Sequence, residues 1–234
     1  MRITKENFIF IPDRSRPGLT TTATGIVSRQ GTGGNWATVG RRRRRRGGRR
    51  LQRRQGKEQC RRVEVRVGTL NVGTMTGKGR EVADMIERRK VDMLCVQETK
   101  WKWSKVRNIG GGFKLFFHGV DGKRNGVWVI LKEKYSKSVV EVKRVSDRVM
   151  IVKLEVEGMM INVISAYAQQ VGCEMEEKEK FWSELDEVVD GVPRKERLVI
   201  GADFNRHVGE GNRGQMVVDF AKRMEMAVVN TYFE

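Results

Sequence analysis

Five side chains stand where apolar runs stop, and their types suit one kind of chemistry. Asn71 closes Val65-Arg66-Val67-Gly68-Thr69-Leu70-Asn71, Glu98 follows Met93-Leu94-Cys95-Val96-Gln97, and Tyr167 closes Ile161-Asn162-Val163-Ile164-Ser165-Ala166-Tyr167. A fourth run, Val199-Ile200-Gly201-Ala202, leads into Asp203-Phe204-Asn205. Side chains two apart on an extended segment share a face, so Asp203 and Asn205 should face one spot. Strand ends are also where open α/β sheets bind ligands. A phosphodiester fits this set, with a divalent cation to polarise its oxygens and stabilise the leaving alkoxide. Mg2+ keeps most of its waters and takes one or two carboxylates. Glu98 then reads as the ligand, with Asn71 ligating the cation or orienting a water bound to it. Asp203 would orient or deprotonate the attacking water, while Asn205 and Tyr167 donate hydrogen bonds to phosphate oxygens from opposite sides. Singly, such residues are ordinary loop, packing and turn residues; the reading rests on the set and its common strand-end location.

These groups need strands to carry them. From Val63 onward, runs of strand length alternate with helical periodicity. Strands are expected at 63–71, 93–97, 113–118, 126–131, 139–145, 149–156, 159–167 and 198–203. Helices are expected at 80–90, 174–189 and 215–224. Val82, Met85 and Ile86 mark the buried face of the first helix, and Phe181, Leu185, Val188 and Val189 that of the second. Asp121-Gly122 and Glu157-Gly158 suit tight hairpin turns, so the middle block reads as antiparallel. Residues 101–112 read as a loop. Gly77-Lys78-Gly79 lacks the spacing and the following Ser/Thr of a phosphate loop and reads as a turn.

Charge divides the 234-residue chain. Residues 1–62 carry 18 Lys/Arg and 3 Asp/Glu, whereas 63–234 carry 29 and 26. Most of the excess lies around Arg41, Arg42, Arg43, Arg44, Arg45 and Arg46. Such a run repels itself and buries nothing, so 1–62 reads as a disordered basic tail. It would serve as a nuclear-import or phosphate-binding arm, or be a solvated leader with no selected role. A basic tail implies an acidic partner such as nucleic acid. No apolar run is long enough to cross a membrane, and no secretory signal is visible. Three scattered cysteines (Cys60, Cys95, Cys173) argue against a disulfide framework or zinc cluster and fit a reducing compartment.

Beside the strand ends lie further candidates for nucleic-acid contact. Lys100, Trp101 and Lys102 directly follow the candidate ligand. They would touch a backbone and stack on a base, or form a solvated lysine pair with a packed Trp. His207 would touch a phosphate or be an exposed loop histidine.

Asn71 in "TLN", "QET" at 97–99, "SAYA" at 165–168 and "GADFN" at 201–205 resemble the endonuclease/exonuclease/phosphatase superfamily, in its retrotransposon-endonuclease branch. The stretches "VGTLNVGTMTGKGREVADMIERRKVDMLCVQETKW" and "GVDGKRNGV" are similar to the craniofacial development protein 2-like group. The resemblance covers 63–234. It implies a DNase I-like α/β fold, a four-layer sandwich of two packed mixed sheets flanked by helices. It also implies phosphodiester cleavage with Mg2+ (or Mn2+) and no small-molecule cofactor. The substrate would be nucleic acid, most simply DNA, and the location the nucleus. On the family pattern Glu98 is the metal ligand, Asn71 its neighbour and Tyr167 a transition-state contact. Asp203 and Asn205 are the phosphate and water pair.

The chain departs from that pattern in places. It has no Asp after Asp219 and no His after His207, so the family's final acidic/His motif is expected to be missing and the domain C-terminally incomplete. Ala168-Gln169 replaces a Tyr-Ala-Pro turn, and Trp128 stands where relatives carry a small residue, an expected overpacking.

Overall fold

The computed structural model describes residues 65–100, 107–116, 126–168, 173–205 and 211–228, with backbone alone at 211–214 and 227–228. It also describes the backbone of three strands before residue 40. The strands are β1 (Asn7–Pro12), β2 (Thr21–Ala23), β3 (Asn35–Val39), β4 (Val65–Asn71), β5 (Met93–Gln97), β6 (Arg107–Gly110), β7 (Phe113–Phe116), β8 (Trp128–Lys132), β9 (Val139–Arg144), β10 (Val149–Val156), β11 (Met159–Tyr167), β12 (Arg197–Asp203) and β13 (Met226–Val228). The helices are α1 (Gly79–Arg88), α2 (Glu133–Ser136), α3 (Met175–Asp190) and α4 (Gly211–Arg223).

They form two mixed sheets. One has the order β13-β1-β12-β11-β10-β9 and the other β2-β3-β4-β5-β8-β7-β6. Each contains one parallel pair, β11 with β12 and β4 with β5. A parallel pair needs a crossover that returns the chain to the same end of the sheet. Here α3 and α1 make those crossovers, so the pairs end together: Asn71 lies opposite Gln97, and Tyr167 opposite Asp203.

Apolar packing falls into three layers. Val65, Val67, Met93, Cys95, Val129, Val152, Leu154, Val163 and Val199 fill the space between the sheets. Phe181, Leu185 and Val189 of α3 and Val217 and Phe220 of α4 cover the outer face of the β12 sheet, against Ile164, Ile200 and Ala202. Val82, Ala83 and Ile86 of α1 cover the other sheet, against Leu94, Val96 and Ile130. Trp128 is 3% exposed within this last cluster, so the indole is a core component of that layer.

The inter-sheet layer changes character along the strands. Alternate positions face the opposite sheet. On β4 these are Val65, Val67, Thr69 and Asn71; on β5, Met93, Cys95 and Gln97. On β11 they are Ile161, Val163, Ser165 and Tyr167; on β12, Val199, Gly201 and Asp203. Apolar residues thus give way to small or polar ones, and those to the candidate site.

Some expectations need correction. Residues 1–62 were read as lacking a fold, yet three strands lie there. β1 sits between β12 and β13, with Asn7 opposite Asp203. β3 pairs antiparallel with β4, with Asn35 opposite Thr69. Residues 101–112 were read as a loop, but β6 pairs with β7; only Ile109 of β6 is buried, so no apolar alternation marked it. Helix α4 begins at Gly211, four residues before the expected start. The Glu157-Gly158 turn is as expected, with both residues at positive φ (50° and 78°). Asp121-Gly122 lies outside the described residues, as do Arg41 to Arg46.

Candidate active site

The four strand-end groups close into a ring. Asn71 Nδ2 donates to Asp203 Oδ2 at 2.8 Å, joining the two sheets. Asp203 is the register partner of Tyr167. The Tyr167 hydroxyl donates to Glu98 Oε1 at 2.5 Å, crossing back to the first sheet. Glu98 follows Gln97, the register partner of Asn71. Two of the four groups come from each sheet, and all lie at one end of the sandwich.

Local structure explains why each side chain points there. Continued strand alternation would send Glu98 to the helix side with Leu94 and Val96. Its φ of 55° breaks that alternation; a left-handed conformation is uncommon for a non-glycine residue and is held by its surroundings. Thr99 supplies the hold. It is fully buried, its amide and hydroxyl both donate to the Gly126 carbonyl, and its own carbonyl accepts from Met75 N–H. A Cβ on Gly126 would lie 2.4 Å from Thr99 Oγ1, so glycine is required for this approach. On the other sheet, Phe204 is fully buried and stacks on Trp182 of α3 at 5.2 Å, which anchors the segment between Asp203 and Asn205.

Asp203 is fully buried, and a buried carboxylate needs donors. It has Asn71 on Oδ2 and the backbone N–H of Asn205 on Oδ1 at 2.9 Å, an Asx-type turn that places Asn205 at φ 51°. Asn205 Nδ2 donates to the Ala168 carbonyl at 2.8 Å, and Ala168 N–H donates to the Asp203 carbonyl at 2.9 Å. These two bonds tie Ala168, the residue after Tyr167, to the Asp203–Asn205 segment. The side-chain amide oxygen of Asn71, Oδ1, accepts from Gly73 N–H at 2.9 Å.

Glu98 is the carboxylate of the ring that could hold a cation. Its side chain is 16% exposed, and Lys100 Nζ lies 3.7 Å from Oε2. The donor set of Glu98 and the Asn71 amide oxygen is oxygen-only and sparse, as a hydrated Mg2+ prefers. No group of three or more His, Cys, Asp or Glu converges among the described residues. An oxygen-only pair of this kind could hold a hard divalent ion that brings its own waters.

Beneath the ring lies a layer that sequence reasoning passed over. Gln97, Thr69, Ser165 and Gly201 sit one or two residues before the site groups. Gln97 Nε2 reaches Thr69 Oγ1 (3.0 Å), Ser165 Oγ (3.4 Å) and the Gly201 carbonyl (3.3 Å), while Thr69 Oγ1 donates to Gln97 Oε1 at 3.2 Å. One amide thus ties β4, β5, β11 and β12 together. Its place after Met93 and Cys95 on the inward face was the available signal. Of the expected nucleic-acid contacts, Lys100 lies at the ring, and Trp101, Lys102 and His207 fall outside the described residues.

The sequence profile of the endonuclease/exonuclease/phosphatase family matches residues 68–217, which contain every member of the ring. The chain belongs to this family. It is homologous to craniofacial development protein 2 from Bos taurus, at 24% identity over 77% of this chain and 33% of that protein. The Tragulus javanicus protein of that name matches at 23% identity, over 77% of this chain and 34% of its own length. The chain thus spans about a third of the curated relatives it matches. Among solved structures, the endonuclease domain of TRAS1, a telomere-specific non-LTR retrotransposon, superposes with a TM-score of 0.52 at 15% identity, covering 68% of this chain and 69% of that one. An AP endonuclease from Archaeoglobus fulgidus gives 0.54 at 20% identity, covering 67% and 70%. The 3′ phosphatase NExo from Neisseria, bound to a product DNA hairpin, gives 0.53 at 17% identity, covering 67% and 70%. These likenesses establish the DNase I-like fold.

Proposed function

We propose that this chain is a divalent-cation-dependent phosphodiesterase acting on DNA, of the retrotransposon-endonuclease type. The observation that carries the reading is the closed ring of Asn71, Asp203, Tyr167 and Glu98, drawn from both sheets of a family fold whose members include nucleases. Glu98 would hold Mg2+ or Mn2+, with the side-chain oxygen Oδ1 of Asn71 as a second ligand. The bound ion would supply Lewis-acid polarisation of the phosphoryl oxygens. The chain's own groups do the rest. Asp203, held by Asn71 and the Asn205 N–H, would orient an attacking water and accept its proton. Asn71 keeps that carboxylate in place across the sheet boundary. The Tyr167 hydroxyl gives its single hydrogen to Glu98 and so fixes that carboxylate; donation to a substrate phosphate would require it to leave Glu98. The second hydrogen of Asn205 Nδ2 is available to a non-bridging oxygen. Arg41 to Arg46 would add sequence-independent attraction to phosphates and carry the chain to the nucleus.

The test is nicking of supercoiled plasmid with Mg2+ or Mn2+. The wild-type chain should nick and Glu98→Ala should not; Asp203→Asn should cost a factor of about 10²–10⁴. A second reading, nucleic-acid binding without cleavage, is favoured by one contact. The Lys100 ammonium already lies beside Glu98, where a metal's charge would go. Equal inertness of wild type and Glu98→Ala, with salt-sensitive DNA binding retained by both, would establish that reading.

A further inference from the structure

We propose that Arg148 is a positioning residue that acts through Tyr167 to hold Glu98 for the metal; the proposal rests on the reading of the ring given above. Arg148 lies in the turn before β10, and nothing so far assigns it a role. Three contacts join it to Tyr167. The Tyr167 backbone N–H donates to the Arg148 carbonyl at 2.9 Å. Arg148 Nη1 donates to the Tyr167 carbonyl at 3.4 Å. The guanidinium carbon stands 5.5 Å from the centroid of the Tyr167 ring. The Arg148 backbone is itself fixed, its N–H donating to Ser146 Oγ at 3.2 Å.

The physical consequence follows from where the phenol ends. The Tyr167 ring is 2% exposed and packs in the layer between the sheets, and Arg148 adds to that packing a charge over the ring and two backbone bonds at the end of the strand. A cation over its face is attracted by the ring quadrupole, and the backbone bonds stop the residue from fraying. Both hold the hydroxyl where it meets Glu98 Oε1. Groups that orient a metal ligand from behind typically change metal affinity or activity by about 10–100-fold when removed. Arg148 stands one residue further back, so its effect should pass through the Tyr167 hydroxyl and vanish when that hydroxyl is absent.

The experiment is a double-mutant cycle read by Mn2+ binding to the full chain without DNA, from the electron paramagnetic resonance signal of free Mn2+. Thermal midpoints are recorded for each variant. Tyr167→Phe and Arg148→Met should each weaken Mn2+ binding by about 10-fold. Arg148→Lys, which keeps a charge over the ring but not the planar fork, should lose less. The Arg148→Met, Tyr167→Phe double variant should bind Mn2+ no more weakly than Tyr167→Phe alone. If Arg148→Met does not fold, Arg148→Lys carries the same cycle. Additive losses would overturn the proposal, as would an unchanged affinity in the Arg148 variants. A rise in KM for DNA with Mn2+ affinity intact would make Arg148 a DNA contact and overturn it too. Absence of Mn2+ binding by the wild type would overturn the metal-site reading itself, an outcome distinct from the others.

Discussion

Gly201 and Gln97 show how closely the site depends on residues that never touch a substrate. A Cβ on Gly201 would stand 2.6 Å from Cys95 Cβ and 2.7 Å from its Sγ. Gly201→Ala should therefore destabilise the fold by about 1–3 kcal/mol or more through overpacking, read as a lowered urea midpoint. Adding Cys95→Ala should recover only part of that loss, because the Cβ contact stays. Gln97→Leu should cost about 1–3 kcal/mol by leaving the Gly201 carbonyl and the Thr69 hydroxyl short of partners in a dry seam. The same burial pushes the Cys95 thiol up to about 12, so it is not a nucleophile at neutral pH. The period-two pattern made Asn71, Tyr167 and Asp203 legible, because each closes an apolar run. Gln97 and Arg148 were harder to read, since their partners lie on other strands and no local spacing announces them.

Elements of the main fold were legible where a face had to be buried. The apolar stripes of α1 and α3 placed both helices within two residues, because Ile86 and Leu185 fill the layers those helices cover. β1 shows the limit. Its segment Phe8-Ile9-Phe10-Ile11 is apolar, but its partners β12 and β13 lie near the other end of the sequence. Removing residues 1–12 should unpair one edge of β12 and one of β13, the kind of exposed edge that aggregates. A rise in light scattering over that of the full chain would check this, and unchanged scattering would show the sheet closes without β1. At the opposite end of the β11–β12 pair, Glu196 accepts from Asn162 Nδ2 and Lys153 Nζ, both at 2.9 Å. The Asn162 amide, then the Lys153 donor, hold its carboxyl below the ordinary 4.5. A depressed folded value stabilises above the unfolded one and is lost as pH falls through the folded one. Urea midpoints should therefore fall below about pH 4.5 more steeply in the wild type than in Glu196→Gln.

For the whole molecule, the segment that carries most of the charge also supplies three strands to the two sheets. The excess positive charge lies before residue 63, whereas the family match spans residues 68–217. Replacing Arg41 to Arg46 by serine should weaken binding to random-sequence DNA and lower the slope of log affinity against log salt, measured by fluorescence anisotropy. Metal affinity should stay unchanged. Among the described residues no helix is long and apolar enough to cross a membrane. The ring of four groups also bears on how the protein matures. Half of it rides on each sheet, and Asn71 meets Asp203 only after the two have docked. A nascent or partly unfolded chain with one sheet formed owns neither a complete cation seat nor a fixed base. On the proposed function, cutting power would arrive with the last docking event rather than before it, and strand breaks would report on that event more directly than any measure of secondary structure.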